Sequence, residues 1–382
     1  MTDRDESPSS THPPLPPTSE DEQFHRLRLL RSRRVGISTY YRMLAEHGNA
    51  QNALAALPEV ARSAGVKNYE TCPVPVIEAE LRTARTMGAV LICRGSTHYP
   101  QALEDLRDAP PFLWAMGNPT WLQKPMIAIV GARNASSLGS RMAKKLASDL
   151  GDAGYVVVSG MARGIDTAAH LATLKTGTIA VLGGGVDVIY PAENAELASG
   201  IACDGLRLSE QPMGLQPMAR HFPARNRIIS GLSSATVVVE AAAKSGSLIT
   251  ARDALDLGRD VFAVPGHPFD ARASGCNMLI RDGALLIRSA QDVLEAITPF
   301  VHSQLDLPEP APPSKTPDKR SKEQTFALHQ QILQRLGPTP MAEDQLIRDL
   351  NAHSSAVTPV LVELELDGQI DRQAGGLLSR VT

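Results

Sequence analysis

From Met126 to about Gly266 the chain repeats one pattern: a short, apolar, largely β-branched run, a helix-length stretch, then another such run. The runs are MIAIVG, YVVVSG, TIAVLG, LRLSE, TVVVE and DVFAVPG, and ALLIRS is a candidate for one more. A strand that is apolar throughout, rather than alternating, suits a sheet covered on both faces, and strands separated by helices pair in parallel. The pattern predicts an α/β fold with a doubly wound, mostly parallel sheet. Four of the runs close on glycine, at Gly131, Gly160, Gly183 and Gly266. Ligands of open α/β sheets bind outside the carboxyl ends of the strands, where glycine lets the backbone approach them. The loops starting at Gly131, Gly160 and Gly183, and the one at Lys244, are therefore expected on one rim.

The stretch FPARNRIISGLSSATVVVEAAAKSGSLITA, from Phe222 to Ala251, gives that rim its charge. Between Glu210 and Glu240 there is no acidic residue, while Arg220, Arg225 and Arg227 fall close together beside His221 and Asn226. The stretch reads as a basic turn, a helix, a buried strand and a second helix. Lys244, Ser245, Gly246 and Ser247 lead into that second helix, whose first turn should offer free N–H groups to a phosphate. GARNASSLG lacks the GxGxxG spacing, and no GxxxxGK[ST] occurs, so neither a dinucleotide fingerprint nor a P-loop is present. Strands ~4.8 Å apart place the loops along an edge of roughly 25 Å, which suits several nucleotides of a single strand better than one phosphate. Few aromatic residues are placed to stack on bases; Tyr190, Phe222 and Phe269 are the candidates.

The 382 residues suffice for two or three domains. A net charge of −3 gives no overall basic signature, so any nucleic-acid surface must be local. Cys72, Cys93, Cys203 and Cys276 show no metal-ligand spacing and read as reduced thiols; together with the lack of an apolar run of ~18 residues, they suggest a cytoplasmic protein without a membrane anchor. Residues 1–20 are Pro/Ser/Thr-rich and should be a disordered tail. Residues 21–74 should hold three or four short helices broken at Gly36, Gly48, Pro58 and Gly65, a pattern that resembles the SAM-like or helix-hairpin-helix class. Its cluster of Arg26, Arg28, Arg31, Arg33 and Arg34 is either phosphate-binding or a solvated face. Residues 75–300 form the α/β domain, beginning with a helix, a strand and a turn-rich segment in which Trp114 is a core anchor. Residues 301–322 read as a Pro/Lys/Ser-rich linker. Residues 323–382 give three helices and a hairpin turning at Gly375-Gly376, which is winged-helix order. Glu363, Glu365 and Asp367 make its third helix acidic, which favours protein contact over DNA reading.

Asp166, Asp187, Glu240 and His267 lie near the predicted rim and could form an acid/base set. Structural roles are the stronger reading for Asp166 (a helix cap), for Asp187 (a loop brace) and for the lone His170. No metal triad, nucleophile elbow or cofactor motif is evident. The competing enzymatic reading is a nucleotide phosphoribohydrolase-like enzyme at the same strand-end site, with Glu240 as acid/base.

IVGARNASSLG, VVSGMARGIDTAAH, TIAVLGGGVDVIYPAEN, FPARNRIISGLSS, EAAAKSGSLITARDALDLGRDVFAVPGHP and SGCNMLIRDGA, in that order, resemble the successive signatures of the DNA processing protein A (DprA/Smf) family. The resemblance is dense from Met126 to Ala284. It implies an extended Rossmann-like core that forms a homodimer, binds single-stranded DNA without turnover, and delivers it to RecA recombinase during natural transformation, including strand covered by single-strand binding protein. It places DNA contacts at Arg133, Arg225, Asn226 and the Ser245-Gly246-Ser247 turn. With the residue reading, the candidate DNA-binding set is Gly131, Arg133, Arg163, Phe222, Arg225, Asn226, Lys244, Ser245, Gly246 and Ser247. One departure stands out: relatives often carry lysine where this chain has Ala192, a contact that Lys244 or Arg163 could supply.

Overall fold

The structure, a computed structural model, describes residue 17 and residues 19–297, 322–373 and 376–381. Most of the expected tail, nearly all of the linker and Gly375 of the expected turn lie outside the described residues. The chain divides into two compact units, Met1–Pro299 and Phe300–Thr382.

The first unit opens with four helices. Helix α1 (Glu20–Arg31) starts at Ser19, whose side chain accepts from the Glu22 N–H, and carries acids in its first turn and arginines in its last, which matches the helix dipole. Helix α2 (Ile37–His47) ends at Gly48, α3 (Ala50–Ser63) is capped by Asn49, and α4 (Val74–Met87) ends at Gly88 in the left-handed region. Pro58 does not break the chain as expected; it sits inside α3. The helix loses one N–H bond there, and the buried stripe of Ala53, Leu54, Leu57 and Ala61 holds it in place.

These helices pack onto β1 (Val90–Cys93) and β2 (Phe112–Gly117) in one apolar cluster containing Leu27, Leu29, Met43, Ile77 and Trp114. Trp114 is the anchor expected, and its FLWAM run is a strand. The indole donates to Glu80 Oε1 at 2.8 Å, and Arg31 pairs with the same carboxylate at 2.9 Å. Arg28 donates through Nε to the Cys72 carbonyl at 2.6 Å, and Arg26 is bonded to Glu22. Three of the clustered arginines are thus internal braces, neither a solvated face nor a phosphate site; Arg33 lies over the Tyr69 ring at 5.8 Å.

The α/β alternation follows: β3 (Met126–Val130), α5 (Ser137–Asp152), β4 (Val156–Ser159), α6 (Ile165–Thr173), β5 (Thr178–Val181), α7 (Ala195–Asp204), β6 (Leu206–Ser209), α8 (His221–Leu232), β7 (Ala235–Val238), α9 (Ser247–Asp256), β8 (Asp260–Ala263), α10 (Ser274–Arg281), β9 (Leu285–Leu286) and α11 (Ala290–Ile297). The nine strands lie in the order β1-β2-β6-β5-β4-β3-β7-β8-β9. Strands β3 to β9 pair in parallel, and β1 and β2 extend the β6 side antiparallel. Every residue of β3 is buried: Ile127 and Ile129 face the cluster with Leu146 of α5, Ala128 and Val130 the cluster with Ile228 of α8. That division explains the unbroken apolar runs. The sheet grows from β3 toward β6 on one side and from β7 toward β9 on the other, so the topological switch point lies between β3 and β7.

The second unit contains α12 (Lys322–Arg335), β10 (Met341–Ala342), α13 (Glu343–Asp349), α14 (Ser354–Leu366), β11 (Ile370–Gln373) and β12 (Leu377–Arg380), with strand order β10-β12-β11 around a core that includes Ile332, Leu346, Leu361 and Leu378. This is winged-helix order. On α14, Glu363 contacts His329 at 3.2 Å and Glu365 contacts Arg372 at 3.2 Å, so two of its acids are held within the unit.

Glu80→Ala leaves the Arg31 guanidinium and the Trp114 N–H without their shared acceptor, and removing one partner of a buried pair typically costs about 3–5 kcal/mol. A clear drop in the denaturant midpoint of the first unit is expected; an unchanged midpoint would contradict the bracing role.

Candidate nucleic-acid interface

Gly131 ends β3 where a Cβ would overlap the Ile165 side chain and crowd the Glu240 carbonyl, so glycine is required for the β3–α5 loop to pass between α6 and the end of β7. Beyond it Arg133 is exposed, with its guanidinium 5.4 Å from the centre of the Phe222 ring. Phe222 also meets Tyr190 at 5.8 Å between centroids, and Tyr190 is half exposed. An aromatic pair with a cation above it results.

The FPARN segment is the first turn and a half of α8, not the turn the sequence suggested. Pro223 is tolerated because the first helical N–H groups have no intrahelical partner. Helical geometry turns Arg225 and Asn226 inward: both are buried, Arg225 only 6% exposed. Arg225 Nη1 donates to the carbonyls of Gly160 at 2.7 Å and Val181 at 2.6 Å, stapling the ends of β4 and β5, and its Nε donates to Asn226 Oδ1 at 3.1 Å. Asn226 Nδ2 reaches the Gly246 carbonyl at 3.4 Å, tying α8 to the start of α9. Burial lowers the Arg225 pKa to about 10, so the guanidinium is still charged at neutral pH. The charge opposite it is Asp166, whose Oδ2 accepts from the N–H groups of Gly160 at 3.1 Å and Ala162 at 3.2 Å. Burial pushes the Asp166 carboxyl up, against the pull of Arg225 and those two amides.

At the end of β7, Ser245 and Ser247 share a hydroxyl contact of 2.7 Å. The N–H of Ser247 donates to Ser245 Oγ at 3.3 Å, and those of Leu248 and Ile249 bond back to the carbonyls of Ser245 and Gly246 at 3.1 Å. Three of the backbone donors expected to be free at this turn, those of Ser247, Leu248 and Ile249, are therefore closed within it. What the turn presents is the two hydroxyls and the exposed Lys244.

These groups surround one cavity of about 910 Å³, and all but one of the residues singled out for DNA binding line it. The exception is Arg163, which pairs with Glu193 at 2.6 Å, next to Ala192. The cavity also takes in Arg272, which the sequence reading missed. Its neighbour Asp270, bonded to it at 3.1 Å, cancels its charge in a linear count, but its place after β8 puts it on the same rim.

The remaining titratable groups are braces. Glu240 accepts from Ser136 N at 2.9 Å and Ser136 Oγ at 2.5 Å, holding the start of α5. Asp187 accepts from Gly214 N at 2.8 Å, and His267 Nδ1 from Phe269 N at 3.3 Å. No hydrogen bond joins any two of Asp166, Asp187, Glu240 and His267 among the described residues, so no acid/base relay links them. His170 is buried, accepts from Met161 N through Nε2 at 3.3 Å and meets Thr178 Oγ1 through Nδ1 at 2.7 Å, which fixes the proton on Nδ1.

Residues 90–298 match the family of DNA recombination-mediator protein A, residues 20–83 the DprA-like N-terminal HHH domain, and residues 309–376 the DprA winged helix domain. The chain is 49% identical to the DNA processing protein DprA of Streptococcus pneumoniae over 198 residues, covering 51% of this chain and 70% of that protein. It is 37% identical to Protein Smf of Escherichia coli over 313 residues, covering 81% and 82%. Among solved structures it resembles DprA of S. pneumoniae, with a TM-score of 0.61 at 37% identity over 71% of this chain and 97% of that one. It also resembles Helicobacter pylori DNA processing protein A, a structure described for its single-stranded DNA binding mode, with a TM-score of 0.51 at 31% identity over 55% and 94%.

Burial and the nearby Arg225 charge lower the His170 pKa to about 3, whereas an unfolded histidine protonates below about pH 6.5. Protons favour the unfolded chain between those values, so stability falls as the pH drops through that window, by up to about 1.4 kcal/mol per pH unit from this group. His170→Gln keeps an acceptor for Met161 N–H and does not titrate. Its unfolding free energy should fall less steeply than the wild type's between about pH 6 and 4, and equal slopes would contradict the assignment.

Proposed function

The chain belongs to the DNA processing protein A family, and from that premise we propose that it binds single-stranded DNA along the carboxyl-end rim of its sheet, protects it, and loads RecA recombinase onto it during natural transformation and recombination. The observation that carries this reading is the cavity at the switch point, lined by the exposed Arg133 and Lys244, by Arg272 in its pair with Asp270, and by an aromatic pair that Arg133 overlies, with the Arg225 charge beneath. Cations spaced along a rim meet successive phosphates, and an exposed ring accepts any base by stacking, typically worth about 1–3 kcal/mol per base. Sequence preference is not needed for either contact. The single-stranded DNA binding described for the H. pylori relative supports the ligand, and the family's description as a recombination mediator supports hand-over to a recombinase.

The protein works in this reading as a cytoplasmic homodimer without enzymatic turnover, with single-strand binding protein as a further partner on covered DNA. No helix among the described residues is long and apolar enough to cross a membrane. The winged-helix unit serves a protein contact, in keeping with its acidic third helix. The phosphoribohydrolase-like reading draws less support, because both Glu240 carboxylate oxygens are taken by Ser136 at the start of α5.

Titration with fluorescent oligothymidine at salt concentrations from about 50 to 200 mM tests the site, since log affinity for a single strand falls by ~0.7 per log salt for each phosphate neutralised. Arg133→Ala should weaken binding and flatten the slope by roughly that amount. Glu193→Gln releases Arg163 from its ion pair and should strengthen binding. Unchanged affinity and slope in both variants would place the strand elsewhere, and release of free base from nucleoside monophosphates would favour the hydrolase.

A further inference from the structure

Phe269 is the most exposed large apolar side chain among the described residues, at 95%. The loop that displays it is well fixed. Asn277 bonds both the N–H of Gly266 at 3.2 Å and its carbonyl at 3.0 Å, Asp270 N and Ala273 N close successive turns at 2.9 Å, and the Arg272 carbonyl accepts from Ala241 N at 2.7 Å. The Phe269 ring meets His267 at 5.5 Å with a tilt of 42°, which leaves most of the phenyl surface to solvent. Three residues on, Arg272 of the same loop lines the rim cavity. Phe269 does not itself line that cavity; the loop links it to the rim through Arg272.

The two aromatic groups sit at opposite ends of that rim. Tyr190 and Phe222 lie beyond β5, beside Gly183; His267 and Phe269 follow β8. Strands β4, β3 and β7 intervene, so four inter-strand spacings, ~19 Å, separate the two groups. Arg133 and Lys244 fall between them, with Arg272 nearest to Phe269. We propose that Phe269, backed by His267, is a second stacking platform that holds a nucleobase of the same strand several nucleotides from the base on the Tyr190–Phe222 pair. The assignment rests on the single-stranded DNA reading above and extends it by giving the strand a second anchoring base and the site a minimum length.

The test uses the full chain and a nonameric oligothymidine in which one position at a time is abasic. Phe269→Ala should weaken binding of the intact oligomer by about tenfold, the loss typical of one stacked base. At one abasic position the variant and the wild type should bind equally, because the stacked base is already missing. That position should lie at least three nucleotides from the one at which Tyr190→Ala has no further effect, and Phe269→Trp should restore binding. Wild-type affinity in Phe269→Ala, including the case where only its oligomeric state or recombinase contact changes, would overturn the platform, as would additive losses at every abasic position. If Arg133→Ala also binds the intact oligomer like the wild type, the rim reading itself fails; if Arg133→Ala weakens binding and Phe269→Ala does not, only the platform does.

Discussion

A buried guanidinium holds the candidate site together. Arg225 ties the carbonyl ends of β4 and β5, which have no helix to bond to, and Asp166 gathers the amides of the loop that follows β4. A charge this deep is tolerated because it is paired and hydrogen-bonded, and removing either partner would strand the other. The close packing leaves no room at Gly160 for any Cβ, which would overlap the guanidinium. The same arginine sends its field into the cavity above. An arginine that the sequence offers as a DNA contact is therefore first a brace, and the exposed cations Arg133 and Lys244 are left to meet a phosphate chain.

This arrangement reconciles a chain of net charge −3 with a polyanionic ligand. Acidic residues near the rim are occupied: Glu240 at the start of α5, Asp187 at Gly214, Asp270 against Arg272. Three of the five clustered N-terminal arginines are likewise absorbed, Arg31 by Glu80, Arg26 by Glu22 and Arg28 by the Cys72 carbonyl. Local positive potential arises where partners are lacking at the surface, which is a property of the fold and invisible to a charge count.

The sheet was legible because strands buried on both faces leave unbroken apolar runs, and the rim because the glycines at their ends follow from parallel topology. The FLWAM strand was less so: it follows Pro110-Pro111 and is antiparallel, outside the α/β rhythm. FPARN looked like a turn because proline usually ends helices, yet a helix start accepts it, and the difference decides whether Arg225 faces solvent or the interior. At Ser245–Ser247 the sequence shows hydroxyls and a helix start; that the N–H groups of Ser247, Leu248 and Ile249 are bonded back into the turn follows only from its fold. Arg272 escaped because Asp270 beside it made the segment look neutral, although the topology puts every strand-end loop on one side.

The most direct measurement is a structure of the protein with bound oligothymidine. The account predicts a strand crossing the β3–β7 switch point, with phosphate oxygens within hydrogen-bonding distance of Arg133 and Lys244 and a base against Tyr190. An oligonucleotide bound to the N-terminal helices or the winged-helix unit, with the rim cavity empty, would contradict it.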